Sequence, residues 1–218
     1  MGLDLIVESC AKPGHDAEWL RAVERTFAAD QLSDEERARF AEISIPPYAQ
    51  VGAPRVGYDA AADAWIIETR EASTPEDVAA VLKDFHGYYA LQLVTSDGVP
   101  KYSHGGLSSE LDETSFRGAF LSLCGDVLDK RITDQAWEHK LPEAAVAYGR
   151  ALLLAADTAA VAGPAAKPPP KRGLLSALGL GRKARDDIPF DEQLDVVRTA
   201  GRWYVFWGER GHPIRAWF

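Results

Sequence analysis

Cysteine is scarce. Only Cys10 and Cys124 occur in 218 residues, with no C-x-x-C pair and no histidine at ligand spacing beside either. That excludes a disulfide scaffold and a thiolate zinc module. The amino terminus, Met1-Gly2-Leu3-Asp4-Leu5-Ile6, has no basic stretch ahead of a long apolar run, so it does not read as a secretory leader. Two thiols in such a chain point to reduced cysteines in the cytoplasm. Long apolar runs are missing too: the longest, Ala151–Leu154 with its alanine-rich flanks, meets Asp157, which argues against a bilayer span. There is no G-x-S-x-G elbow, no G-x-x-x-x-G-K-[ST] phosphate loop and no internal repeat. His15, His86, His104, His139 and His212 never fall at i, i+3 or i+4, so neither a metal nor any other cofactor is expected.

What the chain does have is an uneven charge. It carries 24 basic against 33 acidic side chains, a net −9. Residues 163–185 hold six basic residues (Lys167, Lys171, Arg172, Arg182, Lys183 and Arg185) and no acidic one, which leaves −15 on the rest. An acidic body repels phosphate backbones, so generic nucleic-acid binding is not expected and a basic protein partner is favoured. The 163–185 stretch, with three consecutive prolines and several glycines, reads as a flexible loop or linker. Within 171–185, Gly173–Leu180 lies between basic pairs and could contact an anionic membrane surface. Its two glycines and its length favour a solvated loop.

Periodicity places a strand at Leu3–Glu8 and a helix after Pro13-Gly14 with Leu20, Val23 and Phe27 on one face. Ser33 and Glu36 form a capping box for the next helix. Arg55–Tyr58 and Ala64–Thr69 read as a hairpin, and Thr74-Pro75-Glu76-Asp77 as a helix start. Strands follow at Tyr89–Thr95 and Val99–His104. A helix is expected from Ser115 with Phe116, Phe120, Leu123 and Val127 inward, then a short one capped by Thr133 and a long one from Pro142 to Ala162. Trp203–Trp207 and Ile214–Phe218 read as a terminal aromatic hairpin. The class is α+β, an antiparallel or mixed sheet of about five to seven strands with helices packed against it. Residues 1–162 and 186–218 make one domain around the 163–185 loop.

The chemistry-bearing window runs from Phe85-His86-Gly87-Tyr88-Tyr89 through Lys101–Gly106 to Asp112, Glu113 and Arg117. A helix end near Ser115 and the Arg117 fork would attract a small anion, with His104 as acid or base and the Tyr102 hydroxyl beside it. His86 and Glu113 complete the expected ligand-binding set. In the blander reading, His104 is an exposed strand end and Arg117 pairs with Glu113 one turn away. The function expected first is a non-catalytic cytosolic protein-binding module of inhibitor, immunity or regulatory type, with an acidic, aromatic-rich surface. The alternative is a small-anion-binding enzyme or sensor in which His104, Tyr102 and Arg117 carry the chemistry.

Overall fold

Residues 2–90, 93, 102–103, 111–112, 115–164 and 188–218 are described by a computed structural model. They cluster into two compact units, one comprising Met1–Ile6 with Pro100–Phe218 and the other Val7–Val99.

In the first unit β1 (Asp4–Val7) lies between β6 (Ser115–Phe116) and β7 (Ile214–Trp217), with Leu5 opposite Phe116 in an antiparallel register. A separate antiparallel pair joins β4 (Tyr102–Ser103) to β5 (Leu111–Asp112). Among the described residues a 3₁₀ helix (Gly118–Leu123), α6 (Lys130–Gln135), α7 (Pro142–Ala162) and α8 (Phe190–Glu209) supply the rest of the regular structure. By length and composition α7 could cross a membrane. Here it packs antiparallel on α8, burying Ala145, Tyr148, Gly149, Leu152 and Ala156.

Glycines set how closely these two helices approach. A Cβ on Gly149 would lie 2.7 Å from the Gly201 carbonyl oxygen and 2.8 Å from Tyr204 Cβ. One on Gly208 would lie 2.7 Å from the Pro142 carbonyl. Gly149→Ala would gain about 1 kcal/mol of helix propensity at an exposed site. Here the methyl meets backbone, and overpacking costs about 1–3 kcal/mol. Urea denaturation is therefore expected to show a net loss for Gly149→Ala and little change for Gly125→Ala, where a Cβ meets nothing within 4 Å. A stabilised Gly149→Ala protein would mean that the helices can move apart freely.

The second unit pairs β2 (Cys10–Ala11) with β3 (Ser44–Ile45) in an antiparallel register. It adds α1 (Asp16–Phe27), α2 (Asp34–Glu42), α3 (Pro47–Gln50), α4 (Ala60–Thr69) and α5 (Pro75–Asp84). The Ser33/Glu36 capping box forms, and the Thr74 hydroxyl accepts from Asp77 N to open α5. A small core of Val56, Ala62, Ile66 and Ala90 is flanked by Trp65, Val81, Leu82 and Phe85.

A sheet of five to seven strands is not what the chain builds. Helices dominate, with one three-stranded sheet and two strand pairs among the described residues. Three segments account for the difference. Ala64–Thr69 belongs to α4, because Asp59 accepts from Ala61 N at 2.8 Å and starts a helix through an alanine run whose Ala62 and Ile66 face inward together. Trp203–Trp207 belongs to α8, where Leu194, Val197, Gly201, Tyr204 and Gly208 recur at helical spacing and are buried. The aromatic density that favours strands locally is outweighed by that longer period. Conversely, the expected helix at Ser115 is a strand followed by a 3₁₀ turn, because Phe116 is used opposite Leu5 in the sheet. The short helix expected to start at Thr133 starts at Asp129, whose Oδ1 accepts from Ile132 N.

Candidate interaction surface

In the second unit, residues 54–56 run beside 87–90. Val56 N donates to the Tyr88 carbonyl (2.9 Å), Gly87 N to the Val56 carbonyl (2.8 Å) and Ala90 N to the Pro54 carbonyl (2.8 Å), and Arg55 and Tyr89 form an antiparallel bridge. Val56 and Ala90 anchor this strap in the small core. The side chains it carries outward are therefore held by a rigid backbone.

Arg55 is the centre of that outward face. Its Nε donates to the Gly87 carbonyl at 2.9 Å. Its Cζ lies 4.6 Å from the Tyr58 ring centroid and 5.3 Å from that of Tyr89, so the guanidinium rests against two aromatic faces. Tyr48 extends the rings beyond Tyr89 (5.7 Å), and His86 lies 5.1 Å from Tyr58. Close packing requires both glycines. A Cβ on Gly57 (φ +82°) would overlap the His86 ring, and one on Gly87 (φ +86°) would sit 2.9 Å from Arg55 Nη2. A second group of rings converges on the same stretch: Tyr88 stacks on Trp65 at 6.4 Å and meets Phe85 edge-on at 6.0 Å. Tyr58 is 67% exposed and Tyr88 48%. Among the described residues Arg55 makes no ion pair, and its two terminal nitrogens meet no acceptor.

No family model matches the chain, and no curated protein or solved structure is significantly similar to it.

The charge of the second unit frames this surface. Residues 7–99 contain 8 basic and 17 acidic side chains, so the whole net charge of −9 falls on this unit, while the remainder balances at 16 of each. Between α1 and α2 lies a groove of about 410 Å³ floored by Ala22, Leu32, Phe40 and Ile43. Arginine forks span it. Arg39 holds both Glu18 carboxylate oxygens at 2.9 Å, and Arg25 bridges Asp30 (2.7 Å) and Glu36 (2.5 Å). Hydrogen bonds from these arginines hold the Glu18 and Glu36 carboxyls below the usual carboxylate range. The side-chain oxygens and nitrogens of that rim are largely used internally.

The first unit holds a different cluster, buried rather than presented. Lys140 Nζ donates to the Gln135 carbonyl (2.6 Å), lies 3.6 Å from Glu138 and sits 4.6 Å over the Tyr148 ring. Tyr148 donates to the Ile132 carbonyl (2.9 Å) and meets Tyr204 edge-on at 4.9 Å. Desolvation lowers the Lys140 pKa and raises those of both tyrosines. Lys140, Tyr148 and Tyr204 are closed in by packing. They act on stability.

The expected site residues are placed as follows. His86 is exposed and belongs to the Arg55 surface. Tyr102 lies on β4, opposite Asp112. Arg117 is partly buried, its Nε 3.2 Å from Asp4 Oδ1. His104 and Glu113 lie outside the described residues, as does 165–185 of the expected linker. Among the described residues, no group of three or more His, Cys, Asp or Glu could hold a metal ion. Sequence reasoning missed Arg55 and Tyr58, and it placed Tyr89 in the chemistry-bearing window but not among the expected ligand-binding residues. The signal was local: Arg55-Val56-Gly57-Tyr58 and His86-Gly87-Tyr88-Tyr89 each combine a cationic or imidazole side chain, a glycine and a tyrosine.

Proposed function

We propose that this chain is a non-catalytic protein-binding module and that the Arg55–Tyr58–His86 surface makes the contact. The observation that supports this reading is the exposed array of tyrosine rings around one arginine on a rigid strap. Tyrosine, tryptophan and arginine are the residues that dominate protein interfaces energetically. Concentration of the net negative charge on the same unit favours a basic partner and speeds its encounter. A regulatory, inhibitor or immunity role in the cytoplasm is consistent with that chemistry.

The test is affinity capture from native extract, with wild-type protein and a Tyr58→Ala/Tyr88→Ala variant immobilised side by side. Tyr58 is largely exposed and Tyr88 is half-buried against Trp65 and Phe85, so the variant is expected to stay folded with only a small drop in thermal midpoint. A specific partner should be captured by the wild type, fall by about 30-fold or more with the variant, as loss of an interface anchor worth about 2 kcal/mol implies, and elute with added salt. Equal capture by both proteins would remove this surface from the reading.

A further inference from the structure

We propose that Arg55 is an oxyanion-recognition site, receiving a single carboxylate or phosphate group carried by an otherwise basic partner. The inference rests on the protein-binding reading and names the chemistry at its centre.

Arg55 is fixed before any ligand arrives. Nε is used by the Gly87 carbonyl, and the Tyr58 and Tyr89 rings hold the guanidinium, so the plane of the fork is set and little side-chain freedom is left to lose. The remaining edge, Nη1 and Nη2, has no acceptor among the described residues. Two parallel N–H groups in a fixed plane match the two oxygens of a carboxylate or phosphate. The positive φ at Gly87 and the contact its missing Cβ leaves room for show that the backbone is shaped around the arginine. Of the carboxylates close in sequence, Asp59 accepts from Ala61 N (2.8 Å) to cap α4 and Asp63 accepts from Gly57 N (2.6 Å), and neither forms an ion pair with Arg55.

The charge of the unit then supplies selectivity. A surface with 17 acidic and 8 basic side chains repels nucleic acids and acidic proteins. Among macromolecules it therefore favours an oxyanion that stands on a partner whose remaining charge is positive. Attraction at one point and repulsion around it discriminate more sharply than either alone.

The test follows the Arg55 Nε–H signal by ¹H–¹⁵N NMR while sodium acetate or inorganic phosphate is added to the full chain, with sodium chloride at matched ionic strength as the blank. Saturable shifts at Arg55, Tyr58 and His86 are expected with acetate and phosphate and not with chloride. Arg55→Lys keeps the charge but removes the planar fork. It should weaken the response, read from backbone amides and the Tyr58 and His86 rings, by about ten- to a hundredfold. Preference for phosphate by tenfold or more assigns a phosphorylated epitope, and equal or stronger acetate binding a carboxylate one. Unsaturable shifts, or the same response in Arg55→Lys, would overturn the proposal. If the oxyanion response fails while capture remains sensitive to Tyr58→Ala/Tyr88→Ala, only this inference falls. If the response holds while capture is insensitive, the protein-binding reading falls instead.

Discussion

Trp203→Ala is expected to lower the unfolding free energy by about 3–5 kcal/mol, the usual cost of deleting a buried indole. Trp203 is fully buried and meets Phe116 of β6 at 5.9 Å and Tyr204 at 5.2 Å. Its removal therefore opens a cavity where α8 meets the three-stranded sheet. Neighbouring groups cannot collapse into it easily, because Gly149 and Gly201 already hold α7 and α8 at backbone contact. Domains are stable by only about 5–15 kcal/mol, so the variant should unfold at a much lower urea concentration. Trp217→Ala supplies the comparison: this indole is 60% exposed and should change stability by less than about 0.5 kcal/mol. Similar losses at the two positions would contradict the burial described for α8.

Stability should also fall steeply in alkali. Burial pushes the Cys124 thiol up to about 12 from an ordinary 9.0, and it also raises Cys10, Tyr148 and Tyr204. An acid whose folded pKa is raised stays protonated in the native chain while the unfolded chain ionises. Its stabilising contribution is complete below the unfolded pKa and is lost as pH rises towards the folded value. Each such group removes about 1.4 kcal/mol per pH unit. Lys140 works in the opposite sense. Desolvation lowers its folded pKa, so stability rises with pH through that value until the unfolded pKa of 10.5 is passed. The cysteines act first, from about pH 9, the tyrosines join above 10, and beyond 10.5 Lys140 no longer offsets them. Denaturant midpoints from pH 8 to 11 should reveal this loss. Cys124→Ala should flatten the profile by about 1.4 kcal/mol per pH unit between pH 9 and 11. Parallel profiles for the two proteins would show that Cys124 ionises without opposition.

Helix starts were the most legible part of the fold. The Ser33/Glu36 capping box, Thr74-Pro75 and Pro142 each act through a few neighbouring atoms, and short-range chemistry is written in short stretches of sequence. Trp203–Trp207 misleads for the opposite reason. Five large residues in a row suit a strand, and only the 20-residue span of α8, with glycines letting α7 approach, explains how rings on several sides of a helix are accommodated. The interaction surface was half legible. His86 was marked by the tyrosines beside it. Its companions Arg55 and Tyr58 precede it by about thirty residues, and only the strap formed by 54–56 and 87–90 brings them together. A bridge between distant segments leaves no periodicity to detect.

The position of β1 has a consequence for the order in which the chain can fold as it is made. Leu3, Leu5 and Val7 are buried, and their sheet partners are β6 and β7, the second of which begins at Ile214. At about 5–20 residues per second, roughly 10–40 s separate synthesis of Leu5 from that of Ile214. The 7–99 unit has its own core, and its residues are complete well before then. Until β6 is made both edges of β1 are unpaired, and one edge stays open until Ile214 is made, the kind of segment that pairs wrongly or is held by a chaperone. A strand made well before the rest of its sheet is thus among the last to be buried.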